Sequence, residues 1–140
     1  MIDHPQRSNE IASVFKVNKN IIAIFLFGSY AKKTTTKLSD IDIGILFKKD
    51  FNYVNDELKI IQKLSEIFQN NSIDLTILNA APPDLAFEVI KSGELLLVND
   101  EEALIEFKKY ITFKYFDYQF IKKEIMEHML LRIKKGTFGT

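Results

Sequence analysis

The chain has 140 residues, 46% of them hydrophobic, and 19 basic residues balance 19 acidic ones to a formal charge of zero. This length predicts a single domain over residues 1–135 with a flexible tail at 136–140, and the apolar fraction is ample for a core. Neutrality excludes a global basic footprint for nucleic acid, the lack of cysteine excludes a disulfide framework or a thiolate zinc site, and no apolar run reaches the ~20 residues of a membrane span.

The polar start, Met1 to Arg7, has no signal-peptide pattern, and with the missing cysteines it fits a cytoplasmic protein. A first helix is predicted from about Gln6 to Val17. Ile21 to Phe27 is a continuous apolar run and reads as a strand. A short polar stretch, helix or loop, separates it from a second strand over 41–47. A helix near 54–69 carries Val54, Leu58, Ile61, Leu64 and Phe68 at three- and four-residue spacing, one apolar face. A third strand covers 73–78. Pro82-Pro83 opens the next helix and Gly93 closes it, the usual asymmetry of helix ends. Glu94 to Val98 is an edge strand. From Glu101 to Lys135 there is neither Gly nor Pro, and Asp100 is a suitable N-cap. A straight helix of that length is ~50 Å long, more than the ~35–40 Å width of a domain this size. It must bend, break or overhang. Its aromatics, from Phe107 and Tyr110 through Phe113 and Phe116 to Phe120, fill more than one narrow stripe, so one side is expected to meet a partner or another copy of the chain. The pattern is α/β (α+β): a small mixed sheet, helices packed on it, and a long C-terminal helical segment.

The chemistry concentrates around two strand ends. Gly28-Ser29 follows the first strand, and Asp40-Ile41-Asp42 opens the second. Carboxylates at i and i+2 on a strand share one face. Burying them is costly unless a cation neutralises them. Ser72-Ile73-Asp74-Leu75 echoes the second strand, with Asp74 in the position of Asp42. If those strands are neighbours, Asp74 faces Asp40 and Asp42. Three such acids can hold two Mg²⁺ ions for in-line displacement at phosphorus, since Mg²⁺ favours a few carboxylates plus substrate phosphates. Gly28 would let backbone N–H groups approach a phosphate, Ser29 could donate from its hydroxyl, and Lys32, Lys33 and Lys37 lie where a triphosphate tail would need charge. His4 and His128 have no metal-ligand spacing.

Gly28-Ser29, ten residues, then Asp40-Ile41-Asp42, with Asp74 on a later strand, resembles the signature of the DNA polymerase beta-like nucleotidyltransferases. The resemblance extends to Leu78-Asn79-Ala80-Ala81-Pro82-Pro83, Ser92-Gly93-Glu94-Leu95 and Tyr115-Phe116-Asp117-Tyr118. Over nearly the whole chain it is nearest to the minimal nucleotidyltransferase (MNT) antitoxins paired with HEPN toxins. One departure stands out: the family's Gly-Ser-x-Ala-Arg-Gly is here completed by Ala31-Lys32-Lys33, which keeps charge but removes a bidentate phosphate fork.

The resemblance implies a nucleotidyltransferase fold and ATP as substrate. Asp40, Asp42 and Asp74 would be catalytic and metal-binding, with Gly28, Ser29 and Lys32 nucleotide-binding. It implies transfer of AMP to a tyrosine of a cognate HEPN toxin ribonuclease, which silences it. Two other readings stay open: an antitoxin that blocks its toxin sterically, and a transferase acting on a small molecule or an RNA 3′ end.

Overall fold

Apolar sequence on both faces of two long strands fixes the centre of the molecule. The computed structural model describes residues 4–28 and 40–136. In chain order it runs α1 (His4–Phe15), β1 (Ile21–Phe27), β2 (Ile41–Phe47), α2 (Glu57–Phe68), β3 (Ile73–Ile77), α3 (Pro83–Ser92), β4 (Glu94–Val98) and α4 (Glu101–Lys134). The expected tail beyond Gly136 lies outside the described residues.

The strands form one sheet in the order β3-β2-β1-β4. β1 is antiparallel to both β2 and β4, whereas β2 and β3 are parallel. The sheet is therefore mixed, and Glu94–Val98 is an edge strand as its short length suggests. Parallel β2 and β3 need a crossover, which α2 provides.

Alternation assigns the two faces. Ile41, Ile43, Ile45 and Phe47 of β2 pack with α1 and α2 through Ile11, Phe15, Ile60 and Leu64. Leu46 packs on the other face with Leu78, Val89 of α3 and Leu104 of α4. Even-numbered positions of β2 thus face α3 and α4. Gly44 is one of them, and a Cβ there would stand 3.1 Å from Val89 Cγ1. The missing side chain lets α3 lie close to the sheet. Sequence reading did not single this glycine out, although an isolated glycine in a strand is the signal for such an approach.

The predicted apolar face of α2 is corrected. Val54 and Leu58 are 68% and 79% exposed, and the buried residues are Ile60, Leu64, Ile67 and Phe68. Val54 belongs to a turn before the helix begins at Glu57, so it has no place in the helical period. Leu58 lies half a turn from Ile60 and points away from the sheet.

α4 is one continuous helix. Asp100 caps it, accepting from the Ala103 N–H at 3.1 Å. Only Leu104 and Ile111 are buried along it. Phe87 of α3 stacks on Tyr115 with ring centroids 4.0 Å apart, and Gln119 Nε2 donates to Asp84 Oδ1 at 3.3 Å. From Phe120 onward every residue of the helix is exposed. The helix overhangs.

Asn99 ties the start of α4 to the far end of β1. Its side-chain amide donates to the carbonyls of Phe15, Asn18 and Ile21 at 3.4, 3.2 and 3.1 Å. Asn99→Ala leaves those part-buried carbonyls without that donor. We expect a loss of about 1–3 kcal/mol, read as a lower urea midpoint with an unchanged slope.

Candidate active site

β2 and β3 start at the same end of the sheet because they are parallel, and β1 ends there because it is antiparallel to β2. Their register draws a row across three strands: Asp74 is paired with Asp42, and Asp42 with Phe27. Residues in register on adjacent strands share a face, so the two carboxylates stand side by side on the face that carries α3 and α4. Asp40, two residues before Asp42 and just outside the strand, is exposed.

Asp42 is half-buried, while Asp74 is open to solvent. Burial raises the Asp42 carboxyl above its usual range, and the charge of Asp74, a hydrogen bond with Asp74 and the charge of Asp40 raise it further. Like charges at contact distance resist joint ionisation unless a proton or a cation lies between them. The structure thus pairs Asp42 with Asp74, while Asp40, exposed and outside the strand, acts on Asp42 through its charge alone.

Gly28 completes the corner. It has φ +70°, in the left-handed region that favours glycine. A Cβ built on it would overlap Asp42 Oδ2. The glycine therefore both turns the chain out of β1 and leaves room for the carboxylate. Ser29 and Lys32, with Tyr30, Lys33 and Lys37, lie outside the described residues.

Among the described residues no three His, Asp or Glu side chains come together in a group that could hold a metal ion, so the expected three-acid cluster is here a pair, Asp42 and Asp74, with Asp40 apart. A pair of carboxylates at one corner supplies hard oxygen ligands and leaves further positions for water and phosphate oxygens, the kind of donor set that Mg²⁺ takes. A groove lined by Ile105, Lys108, Thr112, Phe113 and Phe116 runs along α4 and contains none of the three acids. No helix among the described residues is long and apolar enough to cross a membrane.

Residues 9–102 match the family described as polymerase beta, nucleotidyltransferase. A curated protein of Methanocaldococcus jannaschii, named "Putative protein adenylyltransferase", is 32% identical over 120 residues, which is 86% of this chain and 81% of the relative. The fold is shared with a chain of a crystal structure described as a toxin–antitoxin with AMP-PNP: TM-score 0.70, 25% identity, 88% of this chain and 98% of that one. It is shared also with a chain of a structure described as a tri-AMPylated Shewanella oneidensis HEPN toxin in complex with MNT antitoxin, at TM-score 0.67 and 22% identity over 91% of this chain and 99% of that one. The chain belongs to the polymerase beta nucleotidyltransferase family, and its sheet and helices are the nucleotidyltransferase fold.

Two outcomes follow from the carboxylate corner. Asp42 has a folded-state pKa above its unfolded value, so its contribution to stability worsens as pH rises from the unfolded pKa to the folded one. Asp42→Asn removes that decline. Metal-free Asp42→Asn protein should be at least as stable as the parent at pH 7, and acidification should stabilise the parent more than the variant, as read by denaturant midpoints across the carboxylate range. Gly28→Ala should instead destabilise, by about 1–3 kcal/mol, because it forces a Cβ into a left-handed residue and against Asp42. Thermal unfolding at pH 7 separates the two directions.

Proposed function

We propose that this protein is a Mg²⁺-dependent protein adenylyltransferase antitoxin, acting in the cytoplasm on a tyrosine of a cognate HEPN toxin ribonuclease. The observation that carries the reading is the Asp42–Asp74 register pair beside Gly28, in a chain of the nucleotidyltransferase family. The adenylyltransferase name of the Methanocaldococcus relative and the AMPylated toxin in the Shewanella structure support the choice of reaction and partner. The AMP-PNP in the other complex supports ATP as the donor.

Asp40, Asp42 and Asp74 would hold Mg²⁺. When bound, the metal supplies charge neutralisation and alignment for an in-line displacement. The chain's own groups divide the remaining work. The N–H groups and hydroxyl of Gly28-Ser29 bind the phosphates, and Lys32 offsets the charge of the leaving pyrophosphate. Asp42, half-buried, is held at the corner by register and by Gly28. Asp74 faces solvent, the side from which an acceptor on another protein arrives. It takes the proton of the attacking tyrosine hydroxyl. The tyrosine oxygen bonds to the α-phosphorus as the bond to the β-phosphate oxygen breaks, and pyrophosphate leaves. Catalysis is then mostly positioning and electrostatics. Residues 1–135 act as one nucleotidyltransferase domain, and the acceptor hydroxyl comes from the toxin.

A second reading has its own support. The exposed aromatic and aliphatic side chains of α4 suit an antitoxin that covers its toxin. The two readings separate on one experiment. With ATP, Mg²⁺ and the toxin, the protein should add one or a few AMP units to the toxin, and toxin RNase activity should fall in step. The Asp40→Ala/Asp42→Ala variant should transfer at least ~100-fold more slowly. Full protection by that variant with no mass increment on the toxin would establish the blocker. Transfer to RNA or a small molecule alone would keep the chemistry and remove the partner. Because Lys32-Lys33 replaces Arg-Gly, the assay should include ATP at about 1 mM, the upper end of common KM values.

A further inference from the structure

The row of in-register residues that makes the acid corner stops at an open place. Phe27, Asp42 and Asp74 lie side by side on β1, β2 and β3, and β3 is the last strand of the sheet. Among the described residues no strand pairs with its outer edge. The next position in the row, beside Asp74, belongs to whatever adds to that edge.

Two hydrogen bonds show what the edge offers. The Ile41 N–H donates to the Ser72 carbonyl and the Leu78 N–H to the Ile45 carbonyl, both at 2.9 Å. Backbone groups of successive residues point to opposite sides of a strand, so Ser72, Asp74, Thr76 and Leu78 turn theirs toward β2. Ile73, Leu75 and Ile77 turn theirs outward. The Ile77 carbonyl already accepts from the Ala80 N–H at 3.1 Å. The N–H groups of Leu75 and Ile77 and the carbonyls of Ile73 and Leu75 remain as a template for another strand. The side chains of these three residues pack against the core beneath α1 and α2, which holds the template in place. Asp74, between them, is exposed.

An extended segment on this edge would meet Asp74 at a set position. In an antiparallel pair its hydrogen-bonded residues fall opposite Ile73 and Leu75. The residue opposite Asp74 is then in a non-hydrogen-bonded pair, the closer kind, and its side chain lies on the face of the acids. A hydroxyl there stands next to the carboxylate that takes its proton. A helix docked at the same corner would satisfy none of these backbone groups, because its own are already used.

We propose that the outer edge of β3 is the docking site for the protein acceptor, which adds an extended segment antiparallel to β3 and sets its acceptor tyrosine opposite Asp74. The inference rests on the transfer reaction proposed above and names how the protein substrate of that reaction is held. Main-chain bonds supply affinity, and the one register position beside Asp74 selects the hydroxyl.

The test compares Leu75→Pro with Leu75→Ala in the full chain. Both remove the leucine side chain, but only proline removes the outward N–H, and it breaks no bond to β2. With the toxin as acceptor, Leu75→Pro should raise the KM for toxin about 10-fold over Leu75→Ala, as expected for a docked carbonyl left without its donor. The two variants should bind AMP-PNP equally in the presence of Mg²⁺. In the parent, toxin should slow amide hydrogen exchange at Leu75 and Ile77 by at least about 10-fold, with AMP-PNP present throughout. If circular dichroism shows Leu75→Pro unfolded, the exchange measurement decides alone. Equal KM values for the two folded variants, or Leu75 and Ile77 amides indifferent to toxin, overturn the docking site and leave the transfer reaction standing. A parent that transfers no AMP to the toxin removes the reaction and the docking proposal together.

Discussion

Two carboxylates forced side by side are the constraint on which the rest of the site depends. Asp42 and Asp74 meet because β2 and β3 are parallel and in register. Neither strand can slip by one residue without turning its apolar positions away from the core and its carboxylate into it. The layer of α1 and α2 therefore does more than stabilise the sheet. By gripping Ile41, Ile43, Ile45 and Phe47 it fixes which way Asp42 points. The electrostatic strain at Asp42 is held by hydrophobic burial elsewhere, the usual relation between a functional site and its scaffold.

The opposite face is shaped by absences. Gly28 leaves space for a carboxylate oxygen and Gly44 leaves space for Val89. The first keeps the acid corner open, and the second brings α3 against the sheet behind it. α3 in turn anchors α4 through the Phe87–Tyr115 stack, with Phe116 edge-on to both rings. The overhanging helix is thus mechanically continuous with the face that bears the acids. A partner gripping α4 would be held in a defined relation to the site.

Much of this was legible in the sequence. The strands over 21–27 and 41–47 have strong runs and clear turn residues at their ends, and the proline–glycine pair bounded α3. The pairing of Asp74 with Asp42 was visible as an echo, but its register was not, because sequence alone does not reveal which strands are neighbours. The apolar face of α2 was misjudged because Val54 and Leu58 mimic the helical period, while the chain enters the helix only at Glu57. No local signal marks the exposure of those two residues, since it depends on where the sheet lies. Length alone showed that α4 must bend, break or overhang, and an unbroken run without Gly or Pro favours overhang. What covers the overhang depends on another surface, which a single chain cannot encode by periodicity.

The central claim is that Asp42 and Asp74 share a position that a divalent cation satisfies. The most direct measurement is a ¹³C NMR titration of the aspartate carboxyl carbons, without metal and then with Mg²⁺ and a non-hydrolysable ATP analogue. The account predicts that Asp42 titrates above the ordinary aspartate range in the free protein and falls below that range once metal and nucleotide are bound. An Asp42 carboxyl that titrates normally in the free protein, or one that is unmoved by Mg²⁺ and nucleotide, would contradict it.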